Sequence, residues 1–478
     1  MKRVLFYIMQ IKEVFKAITL TRGLGLPLIS LLISVTTSCK KFVEISAPND
    51  QIVAVTVFAD DATATAAING LYSNIMDFNN SILNGGITLC VGLSADEIYN
   101  RNSNPEDDAF RSNSVRPESE NVLNWLWAPA YSRIYHANAI IDGCANSTRL
   151  SSTVKQQVTG EAKFIRALLH FYLANLFGDV PLVTTTDYKI NQSTARTKKE
   201  EVYAQIISDL VDAKNLLPDT YIAADRTHPN KWTAVALLAR AYLYNREWNK
   251  AEETASEIID AGSYTLVNDL ATVFTSNSQE IIFQLAPSPA FYSTAEGLAF
   301  VPGAALMSRP AYLLTPDQLS SFETSDKRKQ YWTNVKNVNG IDYFYSYKYK
   351  IRSSTIPADE YNIVLRLGEQ YLIRAEARAQ QDKVLEAAAD INIIRSRAGL
   401  LPTIVATKEE LLTAILQERR TELFAEWGHR WFDLVRTGNA DAALQALKSP
   451  NWQLTDTLFP LPISQLKLNT ALKQNPGY

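Results

Sequence analysis

The residue with the clearest chemistry in this sequence is Cys39, which follows a leader of the kind that export signals use. Scattered basic residues come first, an apolar stretch occupies residues 23–35, and three small residues fill 36–38. Positive charge, a short apolar stretch and small residues before a cut define a secretory signal peptide. A cysteine directly after the cut can be acylated through its thiol. We therefore predict a signal peptide over residues 1–38, lipid attachment at Cys39 and a lipidated tether over 39–57.

One alternative stays open for this leader. Thr36 stands where lipoprotein signals more often carry leucine, so the chain could be a secreted protein with an ordinary leader and a chance cysteine. The apolar stretch is too short for a comfortable membrane span, which takes about 20 residues. If two or more acyl chains are attached, at roughly 0.8 kcal/mol per buried methylene, the anchoring is effectively permanent.

A second group with the right spacing for chemistry is Glu426, His429 and Asp433, which could place three metal ligands on one helix. Di-iron bundles use a Glu-x-x-His pair of this kind, but they need it twice. The sequence holds no second copy, and four arginines surround the group: Arg419, Arg420, Arg430 and Arg436. We therefore interpret it as ion-paired structure and predict no catalytic residue, no metal and no cofactor.

Two regions carry the mixture of side chains that a sugar site needs. Flat aromatic faces suit the apolar side of a pyranose ring, and amides, carboxylates or arginines suit its hydroxyls. We predict ligand contacts from Asp96, Tyr99, Asn100, Arg101, Tyr292, Trp332 and Tyr343, with Phe291, Tyr312 and Tyr345 in the same aromatic-rich stretch. For any single aromatic residue, packing in the core is the competing interpretation.

Helical periodicity dominates the elements that would position these residues. Ala64, Ile68, Leu71 and Ile75 recur at spacings of four and three, which places them on one helix face. A long helix with two apolar rows starts near Val154. Thr197 and Glu200 have the spacing of a capping box at the next helix. A final helix is predicted from Lys408 to about Phe424.

Paired helices with small residues at the contact predict hairpins of the tetratricopeptide kind. Helices over 231–245 and 249–261 are joined by three residues, and Ala239, Tyr242 and Ala251 have spacings that allow close helix approach. A degenerate copy lies in 368–399. We predict a mainly α fold in which such hairpins form a scaffold.

Irregular segments interrupt this scaffold. Residues 84–115 lack helical period and predict a long loop, which a compact domain usually keeps for function. Residues 281–350 are rich in Tyr, Ser, Pro and Gly with short β-branched runs. We predict that this region is inserted and holds ligand, and we divide the folded part into 58–280 and 281–478, the second completing the fold of the first.

Composition excludes several classes of protein. Hydrophobic residues make up 46% and charged residues 20%, which indicates a folded body rather than disorder. The 47 basic and 50 acidic residues give a net charge of -3, without the dense basic stripe that nucleic acid requires. Apart from Cys39, only Cys90 and Cys144 are present, and they could be bridged or be two buried free thiols.

Ordered motifs occur throughout the chain after Cys39. They include Ala66-Ala67-Ile68-Asn69-Gly70-Leu71-Tyr72, Gly160-Glu161-Ala162-Lys163-Phe164-Ile165-Arg166-Ala167, Phe177-Gly178-Asp179-Val180-Pro181-Leu182, Leu365-Arg366-Leu367-Gly368-Glu369, Glu418-Arg419-Arg420-Thr421-Glu422-Leu423 and Gln474-Asn475-Pro476-Gly477-Tyr478. With these motifs the chain resembles the SusD/RagB family of outer-membrane nutrient-uptake lipoproteins.

The resemblance implies a lipid-anchored protein on the outer face of the outer membrane that does not catalyse. It implies capture of glycans, or sometimes peptides, and delivery to a SusC-like TonB-dependent transporter over which the protein closes. Two rival functions stay open: a lipid-anchored exported glycoside hydrolase, for which two carboxylates about 5 to 9 Å apart would be needed, and a tetratricopeptide scaffold that binds only proteins.

Overall fold

The computed structural model describes residues 54–288, 293–354, 356, 359–405 and 407–478. Val55–Tyr478 form one compact unit, built mostly from helices, with 54% of the described residues in helix and 8% in strand. The mainly α class predicted from periodicity is therefore confirmed. Within the described ranges, no helix is both long enough and apolar enough to cross a membrane.

The first half of the chain contains α1 to α10 and one π-helical turn. Their bounds are α1 Ala54–Val57, α2 Asp61–Met76, α3 Gly86–Ser94, α4 Pro105–Arg111, the π-helical turn Val122–Trp127, α5 Ala128–Asn146, α6 Ser152–Phe177, α7 Tyr188–Asn191, α8 Lys199–Leu216, α9 Lys231–Tyr244 and α10 Trp248–Asp260.

The second half mixes short helices and strands before returning to helices. The helices are α11 Ala295–Phe300, α12 Pro316–Ser320, α13 Lys327–Trp332, α14 Leu367–Gln380, α15 Val384–Arg397, α16 Lys408–Glu422, α17 His429–Arg436, α18 Ala440–Lys448 and α19 Ile463–Leu468, with 3₁₀ turns at Leu270–Thr272 and Leu454–Thr457. The strands are β1 Ile98–Asn100, β2 Ile281–Leu285, β3 Tyr312–Leu314, β4 Thr333–Val338, β5 Ile341–Ser346 and β6 Asn362–Arg366.

The helices stack as successive neighbours. Helix α5 packs on α6, α6 on α8, α8 on α9, α9 on α10, α10 on α14, and α14 on both α15 and α16. The α9/α10 hairpin has the predicted small residues at its contact, because Ala239 and Ala251 are both fully buried. Each hairpin buries its apolar face against the next one, which is how repeat architectures build a continuous core.

Local sequence explains where the scaffold helices begin. Asp60 caps α2, its carboxylate accepting the Thr63 backbone N–H at 2.9 Å, and the predicted face with Ala64 and Ile68 is buried. The capping box predicted at Thr197 is wrong. Thr197 instead pairs its backbone with Val180, and the carboxylate of Asp179 accepts the Lys199 N–H at 2.9 Å.

The strands form three antiparallel pairs: β1 with β3, β2 with β6, and β4 with β5. The boundary predicted between 58–280 and 281–478 falls at the start of β2. Because β1 of the first part pairs with β3 of the second and one hydrophobic core extends from Phe58 to Leu472, the two parts share both a sheet and a core.

The loop predicted over residues 84–115 is wrong in large part, because it contains α3, β1 and α4. Every residue of α3 is buried, and a helix buried on all sides shows no polar face and hence no amphipathic period. Helix α4 does have a start signal: Asn104 accepts the Glu106 N–H at 3.0 Å and Pro105 fills the first turn. Cys90 in α3 and Cys144 in α5 are both buried free thiols.

Candidate ligand-binding site

The early polar segment and the later aromatic stretch meet in the ribbon of β1 and β3. Tyr99 lies opposite Leu313 and Asn100 opposite Tyr312 in the antiparallel register. Beyond the strand end, Arg101 donates its backbone N–H to the Ala311 carbonyl at 2.9 Å. The ribbon therefore brings three predicted site residues to a segment about 200 positions later in the chain.

Asp107 on α4 fixes one face of this ribbon. Its Oδ2 accepts the Tyr312 hydroxyl at 2.8 Å and also accepts the Asn100 side-chain amide. Asp107 is only 1% exposed, and burial raises the pKa of its carboxyl despite these two donors. Asn100 and Tyr312 are thus tied down by a buried acid, which makes them positioning residues rather than free ligand contacts.

Arg111 lies on α4, four residues after Asp107, and covers Tyr99, the second tyrosine of the ribbon. Its guanidinium carbon lies 5.1 Å from the centroid of the Tyr99 ring. A cation over an aromatic face is attracted by the negative face of the ring, and Arg111 itself is exposed. Tyr99 itself is half-buried.

Strand β5 lies beside β3 and adds the second aromatic element. The Arg309 guanidinium carbon is 5.6 Å from the centroid of Tyr343. Arg101 reaches the same loop end, because its Nε donates to the Pro310 carbonyl at 3.2 Å. We call Tyr99, Arg101, Arg309 and Tyr343 the ribbon patch. It combines two tyrosine rings with two arginines, which is a composition suited to sugars.

Two predicted site residues belong to the protein interior, and their predicted ligand contact is wrong. Asp96 is 5% exposed, and its two carboxylate oxygens each accept from Arg430 at 2.7 Å. Trp332 is 1% exposed, donates its indole N–H to the Leu270 carbonyl at 2.8 Å and packs edge-on against Phe274. Neither side chain has a face left for a ligand.

The remaining predicted residues divide between the core and the undescribed part of the chain. Tyr345 is 5% exposed and packs inside. Phe291 and Tyr292 lie outside the described residues, as does Cys39.

The Glu426, His429 and Asp433 group has the ion pairs that the surrounding arginines predicted. Glu426 accepts from Lys348 at 2.5 Å and from Arg366 at 2.9 Å. Asp433 is held by two further arginines at 2.7 Å. Burial and these nearby cations lower the pKa of His429 well below its ordinary value. In the part of the chain that the structure describes, no three His, Cys, Asp or Glu side chains are arranged to hold a metal.

Three contributors to the site escaped sequence reasoning: Asp107, Arg111 and Arg309. The first two share one face of α4, and the Asn-Pro pair at its start was a signal that could have placed this helix. Arg309 lies in an irregular loop, where sequence offers no period to orient a side chain.

Comparison with known proteins places the chain in a family. A family model described as "Starch-binding associating with outer membrane" matches residues 41–243, and the model of the SusD family matches residues 318–478. Together these matches extend over most of the chain. The chain belongs to the SusD/RagB family.

Individual relatives agree with this membership. A SusD-like protein of Formosa agariphila is 27% identical, over 92% of this chain and 97% of its own. The starch-binding protein SusD of Bacteroides thetaiotaomicron is 23% identical, over 81% of this chain and 84% of its own.

Solved structures give the same fold. A SusD superfamily protein of Bacteroides vulgatus superposes with a TM-score of 0.78 at 22% identity, covering 88% of this chain and all of that one. A structure named "Laminarin binding SusD-like protein" superposes with a TM-score of 0.74 at 23% identity, covering 87% and 99%. At these identities the structural likeness shows the fold alone.

Proposed function

We propose that this protein binds oligosaccharide through the ribbon patch, outside the cell, and delivers it to a SusC-like TonB-dependent transporter in the outer membrane. The observation that carries the proposal is membership of a family whose matching model is described as starch-binding and associated with the outer membrane. The starch-binding and laminarin-binding relatives support a glycan as the ligand. The two half-buried tyrosines of the patch supply the faces that a pyranose ring stacks on.

Attachment to the membrane would come from acylation at Cys39. That residue follows a signal-like leader, and a lipid on its thiol would hold the folded body at the outer-membrane surface. Capture at the surface followed by closure over a barrel requires no bond to be made or broken. We therefore propose that binding is the whole activity.

A depletion experiment tests capture against catalysis. Purified protein is incubated with starch and laminarin oligosaccharides, and free ligand and reducing ends are measured together. Capture predicts that free oligosaccharide falls in proportion to protein while the number of reducing ends stays constant. An increase in reducing ends would establish the glycoside hydrolase alternative. Absence of any glycan binding would contradict the proposal and favour the protein-only scaffold.

Substitutions of two neighbouring residues in β5 test whether the ribbon patch is the binding site. Tyr343→Ala is expected to weaken glycan binding about ten-fold, the scale of truncating an aromatic contact at a binding site. Phe344→Ala is the matched control, because successive strand residues point to opposite faces and Phe344 is 37% exposed on the other side of the hairpin. Equal losses in the two variants would show that the ribbon patch is not the site.

The transporter is tested in native membranes. Affinity purification of the lipoprotein from solubilised outer membranes is expected to recover a TonB-dependent barrel in amounts comparable to the bait. Recovery of the lipoprotein without any barrel would refute the delivery step and leave glycan capture standing.

A further inference from the structure

Four cations belong to the ribbon patch or lie beside it. Arg101 and Arg309 belong to it, Arg111 covers Tyr99, and Lys336 lies directly opposite Tyr343 in the β4–β5 register. Within the described residues, none of these four cations forms an ion pair. Four positive charges without an ion-pair partner in the described ranges therefore lie beside two tyrosine rings, in a chain whose net charge is -3.

Several arginines in the protein core, in contrast, have carboxylate partners. Arg328, Arg366 and Arg397 are all buried, and each is paired with at least two carboxylates. These three core arginines are thus neutralised within the fold. Among the described residues, the arginines of the ribbon patch have no carboxylate partner and can meet an anion from outside.

The carboxylates on the neighbouring elements do not pair with these cations. The Asp107 carboxylate is 1% exposed and accepts from Asn100 and Tyr312. Asp342 accepts the Asn337 side-chain amide at 2.6 Å on the opposite face of the β4–β5 hairpin. Asp108 is exposed on α4 and forms no ion pair with any of the four cations among the described residues.

The hydrogen-bonding geometry also leaves donors free. The Nε of Arg309 is buried and has no partner in the described part of the chain. Arg101 uses its Nε on the Pro310 carbonyl, and its terminal amino groups have no partner there among the described residues. A guanidinium presents planar, paired N–H groups that match the oxygens of a carboxylate or a sulfate.

We propose that the ribbon patch selects anionic glycans, in which a uronate carboxylate or a sulfate ester meets Arg101 and Arg309 while the sugar ring stacks on Tyr99 or Tyr343. This inference rests on the proposed glycan-binding function and names the substrate class of the same site. Neutral oligosaccharides have the stacking interaction alone and bind more weakly.

A matched pair of ligands tests the charge. Oligogalacturonate and its methyl ester share one backbone and differ only in the carboxylate charge. Binding is measured by calorimetry at 50 and 500 mM NaCl, with a sulfated galactan oligosaccharide as the third ligand and laminarin oligosaccharide as the neutral one. We expect oligogalacturonate or the sulfated galactan to bind at least ten-fold more tightly than the ester and laminarin, with the preference shrinking at high salt as charges are screened. Comparison of the two anionic ligands tells carboxylate from sulfate.

Substitution of the patch arginines tests whether the preference for anionic glycans arises at the ribbon patch. Arg309→Gln and Arg101→Gln are each expected to weaken binding of the anionic ligand about ten-fold, on the scale of a charge-assisted hydrogen bond, while changing laminarin binding less than two-fold. Arg149→Gln, an exposed arginine at the turn between α5 and α6, makes the same charge change elsewhere and should change neither.

The outcomes separate this inference from the function on which it rests. If laminarin or the methyl ester binds as tightly as the anionic ligands, the charge selection is overturned and glycan capture survives. If the anionic ligands are preferred but Arg309→Gln and Arg149→Gln behave alike, the assignment to the patch is overturned. If no glycan of any charge binds, the proposed function itself fails.

Discussion

Replacement of Glu97 by glutamine is expected to stabilise the protein above neutral pH. Glu97 lies between α3 and β1, is 1% exposed, and accepts one backbone N–H, that of Ala425 at 3.2 Å. Burial raises the pKa of its carboxyl to about 7, and the adjacent Asp96 adds to the rise, against smaller opposing effects of Arg430 and Lys348. The folded chain therefore holds a proton at Glu97 that the unfolded chain releases near pH 4.5.

The size of the effect on the free energy of unfolding follows from the linkage between proton binding and folding. A group whose pKa is higher in the folded state stabilises folding at low pH, and that contribution is lost as pH rises toward the folded value. The difference between 4.5 and about 7, at about 1.4 kcal/mol per pH unit, corresponds to about 3 kcal/mol. Glutamine keeps the shape and the acceptor for Ala425 but cannot ionise, so Glu97→Gln escapes this loss.

Urea unfolding followed by tryptophan fluorescence from pH 4.5 to 8.5 measures the difference. The variant and the wild type should have similar free energies of unfolding near pH 4.5. The variant should become progressively more stable as pH rises, with the gap levelling off near 3 kcal/mol above pH 7. Glu118→Gln, the same change at an exposed position, should show a difference that does not vary with pH.

Two results would refute the reasoning. Parallel stability curves for Glu97→Gln and wild type would mean that Glu97 ionises alike in the folded and unfolded chain. A variant less stable at every pH would mean that the ionised carboxylate is a net favourable partner of Arg430 and Lys348.

Other perturbations follow from the same structure. Glu422 is fully buried, and its pKa is held well below the ordinary value because three arginines outweigh burial; Glu422→Gln should cost about 3 to 5 kcal/mol in urea unfolding at pH 7, and a cost below about 1 kcal/mol would contradict this. His228 donates from Nδ1 to Glu161 at 2.9 Å. Burial alone would lower the pKa of His228, but Glu161 raises it, so this pair stabilises the fold below pH 6.5 and less as pH rises through the raised value. An NMR titration giving a pKa below 6.5 would refute that. Cys39→Ala should move the protein from the membrane fraction to the soluble fraction without changing its circular dichroism, and retention in the membrane would contradict acylation.

Periodicity in the sequence was enough to predict the scaffold. Helices α2 and α10 each bury one apolar side, and α2 occurs with the predicted face of Ala64 and Ile68. Helix α9 is buried on nearly every side, and it was predicted from its pairing with α10 through small residues. In an amphipathic helix, the spacing of apolar residues along the sequence predicts which face is buried. Helix α3 was missed because burial on every side erases that signal.

Residue type alone did not predict which polar and aromatic side chains are exposed. Trp332 and Tyr343 both suit a sugar by chemistry, yet Trp332 is in the core and Tyr343 lies beside Arg309. Asp96 likewise has the carboxylate that a sugar needs, but Arg430 and Arg420 occupy both of its oxygens. Contacts with distant parts of the chain decide this, and one sequence does not reveal them.

The sequence by itself determined the helical class, the hairpin scaffold and the family resemblance, because these depend on spacings within single elements and on ordered motifs. Only the tertiary structure decided the ribbon patch. Its residues come from positions near 100, 309 and 343, and they meet because β1 pairs with β3 and β3 lies beside β5. Which arginines stay without a carboxylate also depends on where every acidic side chain lies once the chain has folded.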